Sequence, residues 1–353
     1  MKTSRLFLLT FLAVLALFLT ACGTALNTSW PGLTADTTQA YVAYGPNVHA
    51  VNLTTGSEVW KYPTSGSKTF YASPVLTADG QLLVGEYQNL LESLDPKTGA
   101  VKWTFSGAKG RFIGSPLVTG DTIYAPAADN TLYALDLKGN LKWKFQTKQA
   151  NWATPAADGK NLYLSSMDHK LYALSPKDGT KVWELDLGAA LICSSVIGPD
   201  GAVIVGTLGN EIVAVNQDNG KVLWRKPTDG GVWGTPVIKD NVIYFGDASG
   251  NIYAMDLAKQ GEIVWKQKPG DAIIGRPVLM PNGLVFATES GKVFALDFTG
   301  ATLWPFTANG KFYTAPVYVN NMLLISMKDG ANGQLLVALN DKGTQLWIFP
   351  PAK

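Results

Sequence analysis

The stretch YALDLKGNLKW, Tyr133 to Trp143, joins a β-rich run to an Asp, a Gly and a Trp four residues past that Gly. The run YALSPKDGTKVW, Tyr172 to Trp183, rebuilds the same device, and its Trp falls 40 residues after the first. Working outward, Gly-x-x-x-Trp recurs eight times, ending at Trp60, Trp103, Trp143, Trp183, Trp224, Trp265, Trp304 and Trp347, with steps of 39 to 43 residues. A period near forty at fixed internal spacing is the signature of a propeller or a solenoid. It overrides the two-domain prior that 353 residues would otherwise suggest.

Each unit carries four strand signals. A Pro-containing start (SPVL, SPLV, TPAA, TPVI, RPVL, APVY) leads to a turn such as Asp79-Gly80, Asp158-Gly159 or Asn320-Asn321. These residues supply the positive φ that tight hairpins need. A β-rich run such as TIYAP or VIYFG follows, then a polar turn, then runs like LYALD, IVAVN or VFALD, and the Gly turn and Trp strand close the unit. Four short strands on tight turns, without helical periodicity, make one propeller blade. A blade has two apolar faces and must stack on neighbours. The Trp at the end of each outer strand is expected to seal the gap between blades, with the Gly before it permitting the hairpin that aims it. Eight units are expected to close into a ring.

The N-terminus reads as export machinery. Lys2 and Arg5 precede an uncharged apolar run from Leu6 to Thr20, which is short for a membrane span and fits a signal peptide. It ends in Leu19-Thr20-Ala21-Cys22, which resembles the bacterial lipobox. That resemblance implies cleavage before Cys22 and acylation of Cys22; the competing reading is an ordinary secretory signal. Removing residues 1–21 takes away Lys2 and Arg5, so 29 Lys+Arg become 27, against 27 Asp+Glu. A chain near neutrality argues against a nucleic-acid surface. Cys193 is then the remaining thiol, so an intrachain disulfide is excluded and a large core must do without staples.

The pattern Ala-x-Asp-x-x-x-Gly-x-x-x-Trp resembles the tryptophan-docking motif of PQQ-type eight-bladed propellers. Ala50, Ala134, Ala173, Ala214, Ala254, Ala295 and Ala338 hold its first position, and Ser93 replaces it once. Asp95, Asp136, Asp256 and Asp297 keep the Asp; Asn52, Asn216, Asn340 and Ser175 depart from it. The resemblance spans Trp30 to Phe349 and implies an all-β eight-bladed propeller of four-stranded antiparallel blades. The expected division is a signal peptide over 1–21, a lipidated tether over 22–29 and a monomeric propeller over 30–353. Two kinds of protein share this fold: quinoprotein dehydrogenases, and non-catalytic envelope lipoproteins such as the BamB-type scaffold of outer-membrane barrel assembly.

Chemistry-bearing residues are sparse. His49 and His169 have no metal-ligand partner in sequence, and Asp129, Asp247 and Asp329 fall in polar turns where Asp serves the backbone. No metal site, phosphate loop or nucleophile elbow is read. Counting back three residues from each start-of-blade Pro gives Tyr71, Ile113, Trp152, Trp233, Ile274 and Tyr313, with Ile192 before Ser195 where blade five lacks the Pro. In this family that strand lines the axis. Small residues follow (Ala72, Gly114, Ala153, Cys193, Gly234, Gly275, Thr314), as converging strands require. Tyr71, Trp152, Trp233 and Tyr313, alternating with Ile and accompanied by Arg111 and Arg276, are read either as a plug or as an axial binding surface.

The favoured expectation is a non-enzymatic, lipid-anchored envelope protein that binds envelope or outer-membrane proteins through one propeller face, with the bilayer as its other partner. The alternative is a redox protein binding PQQ with calcium.

Overall fold

The computed structural model describes residues 29–66 and 68–350. The expected signal peptide, Cys22 and the tether as far as residue 28 lie outside the described residues. Among the described residues, 32 strands form eight four-stranded antiparallel sheets, each made of four strands consecutive in sequence. The first blade runs from Gly32–Ala35 to Glu58–Tyr62 and the eighth from Val317–Val319 to Gln345–Phe349. The runs TIYAP and VIYFG are the second strands Thr122–Pro126 and Val242–Gly246. Strand direction alternates, so the first and third turns of every blade share one face, the turn face. The second turn and the link to the next blade share the other, the loop face.

The third turn organises the ring. In the third blade Trp143 lies inside its outer strand, Leu141–Gln146, rather than at its end, and pairs across the sheet with Ala134. A register shift follows at Ala134/Leu135, and the same shift stands beside the matching Ala or Ser in every blade. A small residue opposite the Trp leaves room for the bulge that re-aims it. The Trp then lies on the Gly turn of the next blade. A Cβ on Gly179 would stand 2.5 Å from Trp143 Cε3, and Gly56, at the start of the chain, meets Trp347 in the same way at 2.8 Å. The Gly of each Gly-x-x-x-Trp thus receives the indole of the preceding blade, a second duty besides its own hairpin that intra-repeat spacing did not reveal. All eight of these glycines have φ between +68° and +90°.

Polar contacts fix the geometry. The indole N–H of Trp143 donates to the Pro176 carbonyl at 3.2 Å, and that of Trp183 to Gln217 at 2.9 Å. Asp136 Oδ1 accepts from the amides of Lys138 and Asn140, both at 2.8 Å, and Asn340 Oδ1 does the same for Lys342 and Thr344. The turn needs an acceptor oxygen, which explains why Asn substitutes for Asp. In blade six the longer Asp256-to-Gly261 spacing is absorbed by a 3₁₀ turn, Leu257–Lys259, capped by Asp256.

Blade one comes wholly from the N-terminal side and blade eight wholly from the C-terminal side, so no shared sheet closes the ring. Closure is by packing. Leu33, Val42 and Val51 meet Leu324, Leu336 and Phe349, and the Trp347 indole donates to the Leu53 carbonyl at 2.8 Å.

One buried ionic cluster bridges blades one and two. Lys68 Nζ reaches Glu86 at 3.1 Å and Glu92 at 2.8 Å, and the Tyr62 hydroxyl donates to Glu92 at 2.8 Å. Glu86 is 1% exposed and its second oxygen has no partner. Burial raises its pKa above the ordinary carboxylate value, and Lys68 offsets only part of that.

Two outcomes are expected in denaturation experiments. Gly179→Ala adds backbone strain and a clash with Trp143, about 3 kcal/mol together. Gly159→Ala, at φ +88° with no atom within 4 Å of the added carbon, should cost only about 1 kcal/mol. Equal losses at the two sites would remove the docking contact from the account. Lys68→Met should destabilise by about 3 kcal/mol at neutral pH by stranding two buried carboxylates. A carboxyl with a raised folded pKa favours the folded state at low pH, so this loss should shrink as pH falls toward the ordinary glutamate value. A loss that grew on acidification would contradict the assignment.

Candidate functional site

The inner strands converge on the axis. A Cβ on Gly114 would lie 2.3 Å from the Trp152 carbonyl oxygen, and one on Gly234 would lie 2.5 Å from that of Gly275. Small residues at this level are therefore required by the neighbouring backbone. The residues just before them, Tyr71, Ile113, Trp152, Ile192, Trp233, Ile274 and Tyr313, all line one axial cavity of about 600 Å³. Blade one contributes Trp30 to the same ring, a position that the Pro-based count does not reach. Its signal was present, since Trp30 precedes Tyr71 by 41 residues, but blade one carries Leu33 where six of the other blades carry Pro. With Trp30 between Tyr313 and Tyr71, the expected alternation of aromatic and Ile fails across blades eight, one and two.

On the loop face the cavity opens into a mouth of about 520 Å³ lined by Trp30, Tyr71, Tyr87, Arg111, Trp152 and Trp233. One side of it is a continuous arc of rings. The Arg111 guanidinium lies 4.0 Å from the Tyr87 ring centre, and Tyr87 stacks on Tyr71 at 5.4 Å. Tyr71 meets Trp30 at 5.5 Å, Trp30 stacks on Tyr313 at 5.6 Å, and Lys328 Nζ stands 5.7 Å from the Tyr313 ring. A cation caps each end of the arc, each cation–π contact being worth about 0.5–1 kcal/mol at exposed sites. Burial and a 2.7 Å hydrogen bond to Glu289 push the Tyr313 hydroxyl up to about 12, so it stays a neutral donor. Tyr87, in the second loop of its blade, carried no repeat signal and was missed.

Trp152 stands on another arc of the mouth, with its indole N–H buried and lacking an acceptor. Arg276, two residues beyond Ile274, faces the deeper channel. Water reaches its side chain along the channel, yet protein surrounds it closely enough for desolvation to lower its pKa. The eight docking tryptophans are separate from this site; each serves a blade boundary.

Other reactive side chains are engaged elsewhere. Asp129 Oδ2 accepts from the Lys109 amide and the Tyr133 hydroxyl, and Asp247 Oδ2 from the Gly230 amide and the Tyr253 hydroxyl. His49 Nδ1 pairs with Glu58 at 2.7 Å, and His169 occupies a turn at φ +74°. Cys193 is buried, which pushes its thiol up to about 11, and its S–H donates to the Gly206 carbonyl. Among the described residues no group of three or more His, Cys, Asp or Glu could hold a metal ion. The axial residues therefore do not fit a quinone held by calcium: among the described residues no carboxylate lines the cavity, and Asp129 and Asp247 already serve loop amides.

A family model described as outer membrane protein assembly factor BamB matches residues 45–196, 190–272 and 248–351. Similar curated proteins include BamB of Burkholderia pseudomallei, 27% identical over 124 residues, which cover 35% of this chain and 32% of that protein. BamB of Moranella endobia is 24% identical over 230 residues, covering 57% and 59%. A tetrathionate hydrolase of Acidithiobacillus ferrooxidans is 23% identical over 205 residues, covering 46% and 41%. The chain spans about a third to three fifths of the length of the curated relatives it matches. Among solved structures, BamB of Moraxella catarrhalis superimposes with a TM-score of 0.72 at 17% identity, over 87% of this chain and 94% of that one. The designed protein Ika8 gives 0.77 at 15%, over 88% and 96%. At such identities the likeness is one of fold.

The unsatisfied Trp152 N–H leads to a test of its role. Trp152→Phe removes a buried donor that has no acceptor, so stability should stay within about 1 kcal/mol of the parent. Trp143→Phe deletes the bond to Pro176 and should destabilise more, by about 2 kcal/mol. A larger loss at Trp152, read in urea, would make it a plug of the channel rather than a lining of the mouth.

Proposed function

The chain belongs to the family of outer membrane protein assembly factor BamB, and on that premise we propose that it is a non-catalytic, lipid-anchored scaffold of the cell envelope. Its partner is a protein of outer-membrane barrel assembly, engaged through the loop face at the axial mouth. The observation that carries this reading is the arc from Arg111 through Tyr87, Tyr71 and Trp30 to Tyr313, half-open rings capped by cations on a rigid ring of blades. Rigid aromatics and arginine are the residues that anchor protein interfaces, because they offer large contact area with little rotamer entropy to lose. The engagement of Asp129, Asp247, His49 and Cys193 in structural contacts supports a binding role over catalysis.

The lipid anchor is the part assigned to Cys22. Cys22→Ser should leave full-length precursor and abolish labelling by a radioactive fatty acid. Cleavage upstream with a soluble product would sink the anchor. For the partner, a photo-crosslinking residue at Tyr87, on the mouth, should capture a barrel-assembly protein in native membranes, while one at Asp178, on the turn face, should not. Capture from Asp178 alone would place the interface on the wrong face. A visible chromophore on adding PQQ and calcium to purified protein would favour the redox reading instead.

A further inference from the structure

Below the aromatic ring the channel changes chemistry. Two positions further along the inner strands stand Ser73, Ser115, Thr154, Ser194 and Thr235, and in the seventh blade Arg276. Ser115 Oγ donates to the Ser73 carbonyl at 2.9 Å, whereas two other hydroxyls accept from backbone amides: Thr235 Oγ1 takes the Ser194 N–H at 3.1 Å and Ser73 Oγ takes that of Leu33 at 3.3 Å. Their own protons are left to donate.

Charge points the same way. Among the described residues the charged side chains lining the channel and its mouth are Arg276 and Arg111; Lys328 and Glu289 stand behind the Tyr313 ring, where Glu289 accepts from the Tyr313 hydroxyl. Arg276 has no hydrogen-bond or ion-pair partner among the described residues, and its side chain is open to the water of the channel. A guanidinium keeps its proton there. A fixed cation in a narrow channel with low-dielectric walls concentrates anions in front of it.

We propose that Arg276 and the hydroxyl belt of Ser73, Thr154, Ser194 and Thr235 form an axial binding site for a small oxyanion. The guanidinium supplies the charge and a planar fork of donors, and the hydroxyls complete the shell. An inorganic oxyanion and the carboxylate of an organic ligand share this chemistry. The site lies deeper than the arc assigned to partner docking and does not depend on it, so failure of one leaves the other standing.

The test is calorimetric titration of the purified protein with sodium sulfate and, separately, sodium acetate, against sodium chloride at equal ionic strength. The parent protein should give saturable heat with at least one of the two oxyanions and none with chloride. Arg276→Gln should weaken that binding at least tenfold, while Lys160→Gln, which removes an exposed charge from the turn face, should leave it unchanged. Saturation by sulfate alone identifies an inorganic site, and by acetate alone a carboxylate site. Because Arg276→Gln could perturb the strand, Arg276→Lys serves as the conservative variant, expected to retain part of the affinity. No saturable heat with either salt in the parent, or equal affinity in Arg276→Gln, would overturn the proposal.

Discussion

The structure depends on an indole laid flat on a glycine. Each Trp of an outer strand covers a turn whose Cα carries no side chain and whose φ lies in the left-handed region, where any other residue would be strained. The two requirements coincide at one position, so the same Gly bends its own blade and seats the preceding blade's ring. Burial of part of each indole supplies apolar stabilisation, and at seven of the eight boundaries, all but that of Trp224, an indole N–H to carbonyl bond orients it. Repetition then does the rest. The Trp-on-Gly contact recurs at all eight blade boundaries, and a ring with no shared sheet closes because its last contact, Trp347 on Gly56, is of the same kind as the other seven.

Much of this was legible in the residues alone. The Gly-x-x-x-Trp period gave the blade number, and turn pairs such as Asp79-Gly80 and Asp158-Gly159 marked the first hairpins; Gly80 and Gly159 indeed take positive φ. What the period could not tell was which Trp meets which Gly. Spacing within a repeat describes one blade, whereas the contact joins two. Trp30 escaped for a related reason: an edge repeat with Pro31 in place of the usual later Pro does not align by motif, although it aligns by distance. Tyr87 had no signal at all, because loop-face residues are free of the repeat's packing demands and vary from blade to blade.

The axis shows the same division between what packing imposes and what it leaves open. Neighbouring backbones approach so closely at Gly114, Gly234 and Gly275 that side-chain size there is dictated. One residue earlier the chain has choice, and it places aromatic rings on blades eight, one and two and Ile on blades three, five and seven. That uneven ring breaks the eightfold likeness of the blades and gives the mouth a richer side. Family membership, the arc of rings and the channel-facing Arg276 therefore describe three different layers: the frame shared by all such propellers, a face, and a channel interior.

The entry of the chain into blade one has a consequence for orientation. Ser29 is buried with its hydroxyl on the Gly45 amide at 3.0 Å, and Trp30 already stands in the axial ring. The polypeptide therefore arrives on the loop face beside the central opening, not at the rim. On the lipoprotein reading, eight residue steps separate Cys22 from Trp30, a leash of about 28 Å at full stretch. On that reading the leash would keep the opening within its reach of the bilayer and leave the turn face toward the aqueous space.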